Sequence, residues 1–424
     1  MPRGFAKNRL TKFRVCLDIK EGWPVIIDDN SLAFRLGIRN KTLQYLLRLR
    51  NKGEVGMKKS KDEMVFAYNC FSNKTFNDDG TVRKERPIQE PMPLLKNVHK
   101  VLNGLFSDRD FPRAVTAYVK GLSIDMAARQ HIRPSFWYGK TEKIPDDVGK
   151  DPRYTQVKRH KVEHDPTSEE GKFYFQPTIQ IHLDIKNFFN SIRASWVRKF
   201  FFDEVGYCHN VAFALAQLCT VKIKERRFLP QGSPLSGSLA NLVAYHRFGK
   251  AIDQLLAGLS PDWVWTIYSD DIVMSHPEQT ITPEKVMAVK DAVSALVEHG
   301  GFKINHEKTT VKNSKEERLT ILGFTVNEKL NIQKSTYTAL KSLLTNCLSQ
   351  GWDAQSRRLH VKNGGAVLQY VRGKLQSIRK AVPERYAELD VIFQKALVAF
   401  PMNPSEDMIL RQVGEETNAP SHGA

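Results

Sequence analysis

Tyr268-Ser269-Asp270-Asp271 stands between two short apolar runs, Val264-Trp265-Thr266-Ile267 and Ile272-Val273-Met274. Two β-rich runs joined at a polar junction read as a hairpin, and this one holds adjacent carboxylates at a tight turn. Adjacent carboxylates repel, and each raises the other's pKa unless positive charge lies between them. A divalent cation is the usual remedy, and hard oxygen donors suit Mg²⁺ or Mn²⁺. Alone, the tetrapeptide is weak evidence, because Asp-Asp in a solvated surface turn is common.

A third carboxylate separates the two readings. Residues 178–186 alternate strictly: Ile179, Ile181, Leu183 and Ile185 share one face, and Gln180, His182, Asp184 and Lys186 the other. This pattern predicts a half-buried strand with Asp184 near its end, followed by the aromatic turn Asn187-Phe188-Phe189-Asn190. One acid from a strand and two from a hairpin is the supply that a two-metal phosphoryl-transfer site needs, its ions about 3.5–4 Å apart. Between these elements lies Leu229-Pro230-Gln231-Gly232-Ser233-Pro234-Leu235-Ser236-Gly237, which runs into helically spaced Leu239, Leu242, Val243, His246 and Ile252. Small residues let this loop approach a flat ligand, and Gln231 can hydrogen-bond a sugar or base.

In that order, LDIKNFF, LPQGSPLSG and YSDD resemble the A, B and C motifs of reverse transcriptases, specifically the bacterial ones. Further segments follow in family order. Arg83-Lys84-Glu85-Arg86-Pro87-Ile88 resembles the first fingers motif and Thr116–Gly121 the second. Gly301–Thr309 is similar to motif D and Ile321-Leu322-Gly323-Phe324 to the primer grip. The likeness covers about residues 65 to 330.

The resemblance implies an α+β right-hand polymerase with fingers, a ferredoxin-like (split βαβ) palm and a helical thumb. The expected divisions are an N-terminal helical region (1–64), fingers (65–177) with an insertion near 133–175, palm (178–330), thumb (331–400) and a flexible tail (401–424). It implies that Asp184, Asp270 and Asp271 carry two Mg²⁺ ions, or Mn²⁺, with the Ile185 carbonyl as a further ligand. Arg83, Lys84 and Arg86 would hold the incoming dNTP, since guanidinium forks match phosphate. Phe189 would lie under the sugar, Gln231 against nucleotide or template, and Lys308 near the pyrophosphate leaving group. Gly232, Ser233, Leu322, Gly323 and Phe324 would meet primer or template. The implied partners are a non-coding RNA template, the DNA product and its RNA–DNA duplex; a homo-oligomer or accessory protein stays open.

Composition agrees with a polyanionic partner: 64 lysines and arginines face 46 acids, a formal charge of +18. Five scattered cysteines without a CxxC pair indicate neither a zinc site nor a disulfide framework, and fit a reducing cytoplasm. No apolar run is long enough to span a bilayer. Residues 31–50 are expected to form one helix capped by Ser31 and ended by Gly53, and Thr282-Pro283-Glu284 to open a helix that Gly300-Gly301 stops. Leu17-Asp18-Ile19-Lys20 repeats the tetrapeptide at 183–186 without the aromatic turn, and reads as coincidence.

The chain departs from the retron pattern: Ala127-Ala128-Arg129-Gln130-His131 lacks the usual Asn, and Leu322-Gly323-Phe324 replaces Val-Thr-Gly. These departures favour the defence-associated, anti-phage reverse transcriptases over a typical retron enzyme. The alternatives are a retron-like enzyme primed from an RNA 2′-hydroxyl, a synthase that is weakly templated or primed by a tyrosine such as Tyr138 or Tyr154, and a non-enzymatic RNA-binding scaffold.

Overall fold

A computed structural model describes residues 19–51, 67–76, 81–107, 111–135, 173–175, 177–260, 262–277, 281–327, 329–359 and 361–401. The remainder, including Asp18, Gly53, Tyr138, Tyr154, nearly all of the 133–175 insertion and the tail beyond Pro401, lies outside the described residues. The strands are β1 (Tyr68–Phe76), β2 (Val82–Pro91), β3 (Arg133–Ser135), β4 (Phe173–Phe175), β5 (Ile179–Asp184), β6 (Val221–Ile223) and β7 (Arg226–Phe228). They continue with β8 (Val264–Tyr268), β9 (Asp271–His276), β10 (Thr310–Asn313), β11 (Thr320–Ile321), β12 (Phe324–Thr325) and β13 (Asn331–Ile332). The chain divides into two units, Met1–Leu122 with Gln180–Val311, and Ser123–Ile179 with Lys312–Ala424.

The first unit is built on a four-stranded sheet ordered β10-β5-β9-β8. The first strand of the set is central, between the fourth and the third, which is the split βαβ order of the expected palm. β8 and β9 form an antiparallel hairpin in which Tyr268 pairs with Asp271 at the turn. Its apolar residues Val264, Trp265, Ile267, Ile272, Val273 and Met274 are all buried. The helix Pro283–His299 starts as its sequence dictates: Thr282 caps it, Pro283 occupies the first turn, and Val286, Val289, Val293 and Val297 face the core. Gly301, at φ +91°, ends it. The segment after motif D closes the sheet. Ile304 makes only a bridge to Ile185, and the regular strand is β10.

Two expectations are corrected. Residues 31–50 form two helices, Asp29–Arg35 and Asn40–Asn51, because Gly37 takes φ +65° between them. The cap is Asp28, with Ser31 as the reciprocal partner of a capping box. β5 is also buried on both faces: Gln180 and Asp184 are as enclosed as Ile179, and only His182 is partly open. Strict alternation marks two chemically distinct faces, and here the polar one is covered by its own partners.

In the same unit the β1–β2 hairpin pairs Asn73 with Arg86 and Cys70 with Gln89. Trp23 is ringed by Phe106, Phe200, Phe201 and Tyr207 at 5.8–6.5 Å between ring centroids. The second unit holds the β11-β12-β13 sheet and the helices Lys334–Gln350, Trp352–Arg358, Gly364–Ala381 and Pro383–Ala399. The short helix Ile124–Arg129 joins them through Arg129, whose guanidinium donates to the carbonyls of Lys380 and Ala381 at 3.1 Å each. No described helix is long and apolar enough to cross a membrane.

Candidate active site

The end of β5 and the β8–β9 turn are joined by main chain. The Ile185 amide donates to the Asp270 carbonyl at 2.8 Å, and the Asn305 amide to the Asp184 carbonyl at 2.7 Å. Ser269 and Asp270 form a two-residue turn, and Ser269 takes φ +60°. Hairpin turns of this length call for positive φ, which usually selects Gly, Asn or Asp; a serine there holds about 1–3 kcal/mol of backbone strain. The turn sets two consecutive acids beside the strand end that carries the third.

Asp184 is 6% exposed. One of its oxygens accepts from Lys308 Nζ at 2.7 Å, the other from Asn305 Nδ2 at 3.2 Å. Asp270 is held above the ordinary carboxylate range, first by burial and then by the negative charges of Asp271 and Asp184. Lys308 is held above the ordinary lysine range, chiefly by its bond to Asp184, with further help from Asp270 and Asp271. The three acids and the lysine therefore form one electrostatic group. Asp271 turns aside to His182, whose Nε2 stands 3.0 Å from Asp271 Oδ1.

Among the described residues, no three or more His, Cys, Asp or Glu side chains stand as a ready metal cage. The donor set nevertheless fits a divalent cation. It consists of hard carboxylate oxygens whose mutual repulsion already raises the Asp270 pKa, and that repulsion is what a cation relieves.

Beside the acids, Phe189 is wedged between aromatic neighbours. Its ring centroid lies 5.4 Å from Phe188 and 6.1 Å from Tyr118. Phe188 is buried and stacks on Phe302 at 5.7 Å. Tyr118 is half exposed and takes φ +54°. The motif B segment forms a loop and the helix Ser236–Ala244. The loop is tied to β2 by a reciprocal pair: the Gln231 amide donates to Gln89 Oε1 at 3.0 Å, and the Gln89 amide donates to the Gln231 carbonyl at 2.6 Å. Gly232, at φ +111°, lies so close to Ile88 that an added methyl would stand 2.7 Å from its Cγ2. Ser233 Oγ is 2.7 Å from His99 Nδ1, and the other nitrogen of that ring is 2.8 Å from the Leu218 carbonyl.

The remaining expected residues are placed as follows. Arg83, Lys84 and Arg86 lie on β2, with Arg86 exposed. Leu322 and Gly323 are the two central residues of the β11–β12 hairpin in the second unit, at φ +49° and +89°, and Phe324 begins β12. Positive φ at both positions is the pattern of a type I′ turn, in which leucine is rare. Four participants were not singled out from the sequence: His182, Asn305, His99 and Tyr118. His182 had a signal, since it lies two residues before Asp184 on the same strand face. The other three are brought in by tertiary structure.

Three acids at the strand ends of a split βαβ sheet, with a glycine-rich loop beside them, define the palm of a right-hand nucleic-acid polymerase. Residues 158–326 match the family described as reverse transcriptase (RNA-dependent DNA polymerase), so the chain carries a reverse-transcriptase domain, and its activity is RNA-directed DNA polymerisation. Curated relatives agree. The chain is 25% identical over 345 residues to the retron Se72 reverse transcriptase of Salmonella heidelberg, covering 80% of this chain and 72% of that one. It is 27% identical over 165 residues to the retron Ec86 reverse transcriptase of Escherichia coli, covering 38% of this chain and 47% of the relative. An apo telomerase structure from Candida tropicalis is similar at 13% identity and TM-score 0.42, covering 89% of this chain and 66% of that chain. These two relatives are retron enzymes, so the departures at Ala127 and at Leu322-Gly323-Phe324 do not remove this chain from their neighbourhood.

Proposed function

We propose that the protein copies a dedicated non-coding RNA into DNA by two-metal phosphoryl transfer, and that the product serves anti-phage defence in the bacterial cytoplasm. The observation that carries the reading is the convergence of Asp184, Asp270 and Asp271 into one electrostatic group at the palm. Asp184, Asp270, Asp271 and the Ile185 carbonyl would hold two Mg²⁺ ions. Bound there, the metal lowers the pKa of the primer hydroxyl and offsets the charge that develops on the triphosphate. Lys308, whose Nζ bonds Asp184 at 2.7 Å, would give a proton to the departing pyrophosphate. Arg83, Lys84 and Arg86 bind the triphosphate from the fingers strand. Gln231, Gly232 and Ser233 shape the template side, and Leu322, Gly323 and Phe324 guide the primer. Phe189 bars a ribose 2′-hydroxyl. The fingers, palm and thumb follow the divisions at 65–177, 178–330 and 331–400.

The test is incorporation of labelled dNTPs by purified protein with its co-purifying RNA and no added primer. RNase-resistant, Mg²⁺-dependent product is expected, and its sequence identifies the template. No product in that arm and none on an added primed RNA template would remove the polymerase reading and leave the RNA-binding scaffold. The similarity to two retron enzymes supports a second reading, priming from an RNA 2′-hydroxyl. Product that stays joined to RNA after proteinase digestion, and is freed by cleavage of the RNA branch, distinguishes it from tyrosine priming.

A further inference from the structure

Tyr118 has an unusual local setting for an aromatic residue. At φ +54° its backbone is in the left-handed region, which costs an L-residue other than glycine roughly 1–2 kcal/mol. A bulky side chain half exposed to solvent offers little burial to offset that cost. The conformation is held from three directions. Thr116, two residues earlier, gives both its amide and its hydroxyl to the Ile267 carbonyl, at 3.0 and 2.9 Å, which anchors the segment to the strand leading into Tyr268. Asn241, buried in the motif B helix, donates its side-chain amide to the Ala117 carbonyl. The Tyr118 ring then lies flat over Gly237, where any Cβ would fall inside the ring's van der Waals envelope.

The result is a tyrosine ring whose edge or face meets Phe189 at 6.1 Å and an interplanar angle of 65°. On its other side Phe189 meets Phe188, at 5.4 Å and 69°. Edge-to-face rings at these separations attract by about 0.5–1.5 kcal/mol beyond their area. Phe188 is fixed by burial against Phe302. Phe189 itself is only partly buried, so the Tyr118 ring against it restricts its rotamers along with Phe188.

We infer that Tyr118 is a positioning residue for sugar selection: seated on Gly237, its ring braces Phe189 in the orientation that excludes a 2′-hydroxyl. The inference rests on the reading of Phe189 as the sugar gate. It also accounts for Gly237, which leaves room for the brace, and for Asn241, which holds the backbone turn beneath it.

The experiment compares kcat/KM for dGTP and GTP, by the full-length protein on one primed RNA template, in wild type and in Tyr118→Gly, Tyr118→Phe, Phe189→Ala and the double variant. Glycine suits a positive φ, so Tyr118→Gly removes the ring while relieving the backbone; Tyr118→Asn carries the same test should the glycine variant prove insoluble. Tyr118→Gly is expected to raise the GTP-to-dGTP ratio about tenfold, Tyr118→Phe to keep it, and the double variant to match Phe189→Ala alone. General damage would lower both substrates together and leave the ratio unchanged. A raised ratio in Phe189→Ala with an unchanged one in Tyr118→Gly would overturn the brace and spare the gate. An unchanged ratio in both would remove the gate, and the brace with it.

Discussion

Asp270 shows at the scale of one residue how activity and stability oppose each other. Burial and two neighbouring carboxylates raise its pKa in the folded chain, so its charged form is the one the fold disfavours. For a carboxyl with a folded pKa above its unfolded one, the cost is absent in acid, where both states are protonated. It grows as pH rises from the unfolded value through the folded one. Asp270→Asn is therefore expected to melt at a higher temperature than wild type at pH 7 in EDTA, with the difference gone near about pH 3. The same variant should lose about 10³-fold or more in dNTP incorporation. A lower melting temperature at pH 7 would mean that Lys308 more than compensates the burial. The acids were legible because period-two alternation and a hairpin junction name positions directly. Lys308 was legible as the lysine that closes motif D, but its bond to Asp184 was not, because a lysine closing a sequence motif does not say which carboxylate it reaches. Asn305 left no trace in the pattern: it lies in a loop whose path depends on the sheet it closes.

At the scale of elements, the motif B loop is anchored by backbone more than by side chains. Gly232→Ala meets both a positive φ and Ile88, and should destabilise the protein by about 1–3 kcal/mol, read as a lower denaturant midpoint with an unchanged slope. Asn241→Leu keeps the volume but leaves the Ala117 carbonyl without that donor; a loss of about 1–3 kcal/mol is expected, measured the same way. If the leucine variant is as stable as wild type, the turn at Tyr118 is held by Thr116 and Gly237 alone. The helix Pro283–His299 was readable at both ends because its cap, its first-turn proline and its terminal glycines are local chemistry. The two-helix break at Gly37 was not, since a glycine within a helical pattern can continue the helix or end it. Nor was the double burial of β5, because burial on the polar face depends on what covers it.

For the whole molecule, the excess of positive charge governs how nucleic acid is held. With about 6–10 phosphates neutralised, affinity for a primed RNA duplex should fall about 10³-fold or more between 50 and 200 mM salt. A filter-binding titration across that range checks it, and a flat response would mean that the +18 charge lies away from the binding groove. Composition made the class of partner readable. The separation into two units was not, because the segments 123–179 and 312–424 are distant in sequence. The exchange of hydrogen bonds between Gln89 and Gln231 has a mechanical consequence at this scale. The hairpin β1–β2 and the glycine-rich loop are clasped rather than merely adjacent, so a triphosphate held by Arg86, as proposed, would pull on Gln231 as one end of a lever pulls on the other. On that reading, the occupancy of the fingers strand and the position of the Gln231 loop would be coupled through Gln89.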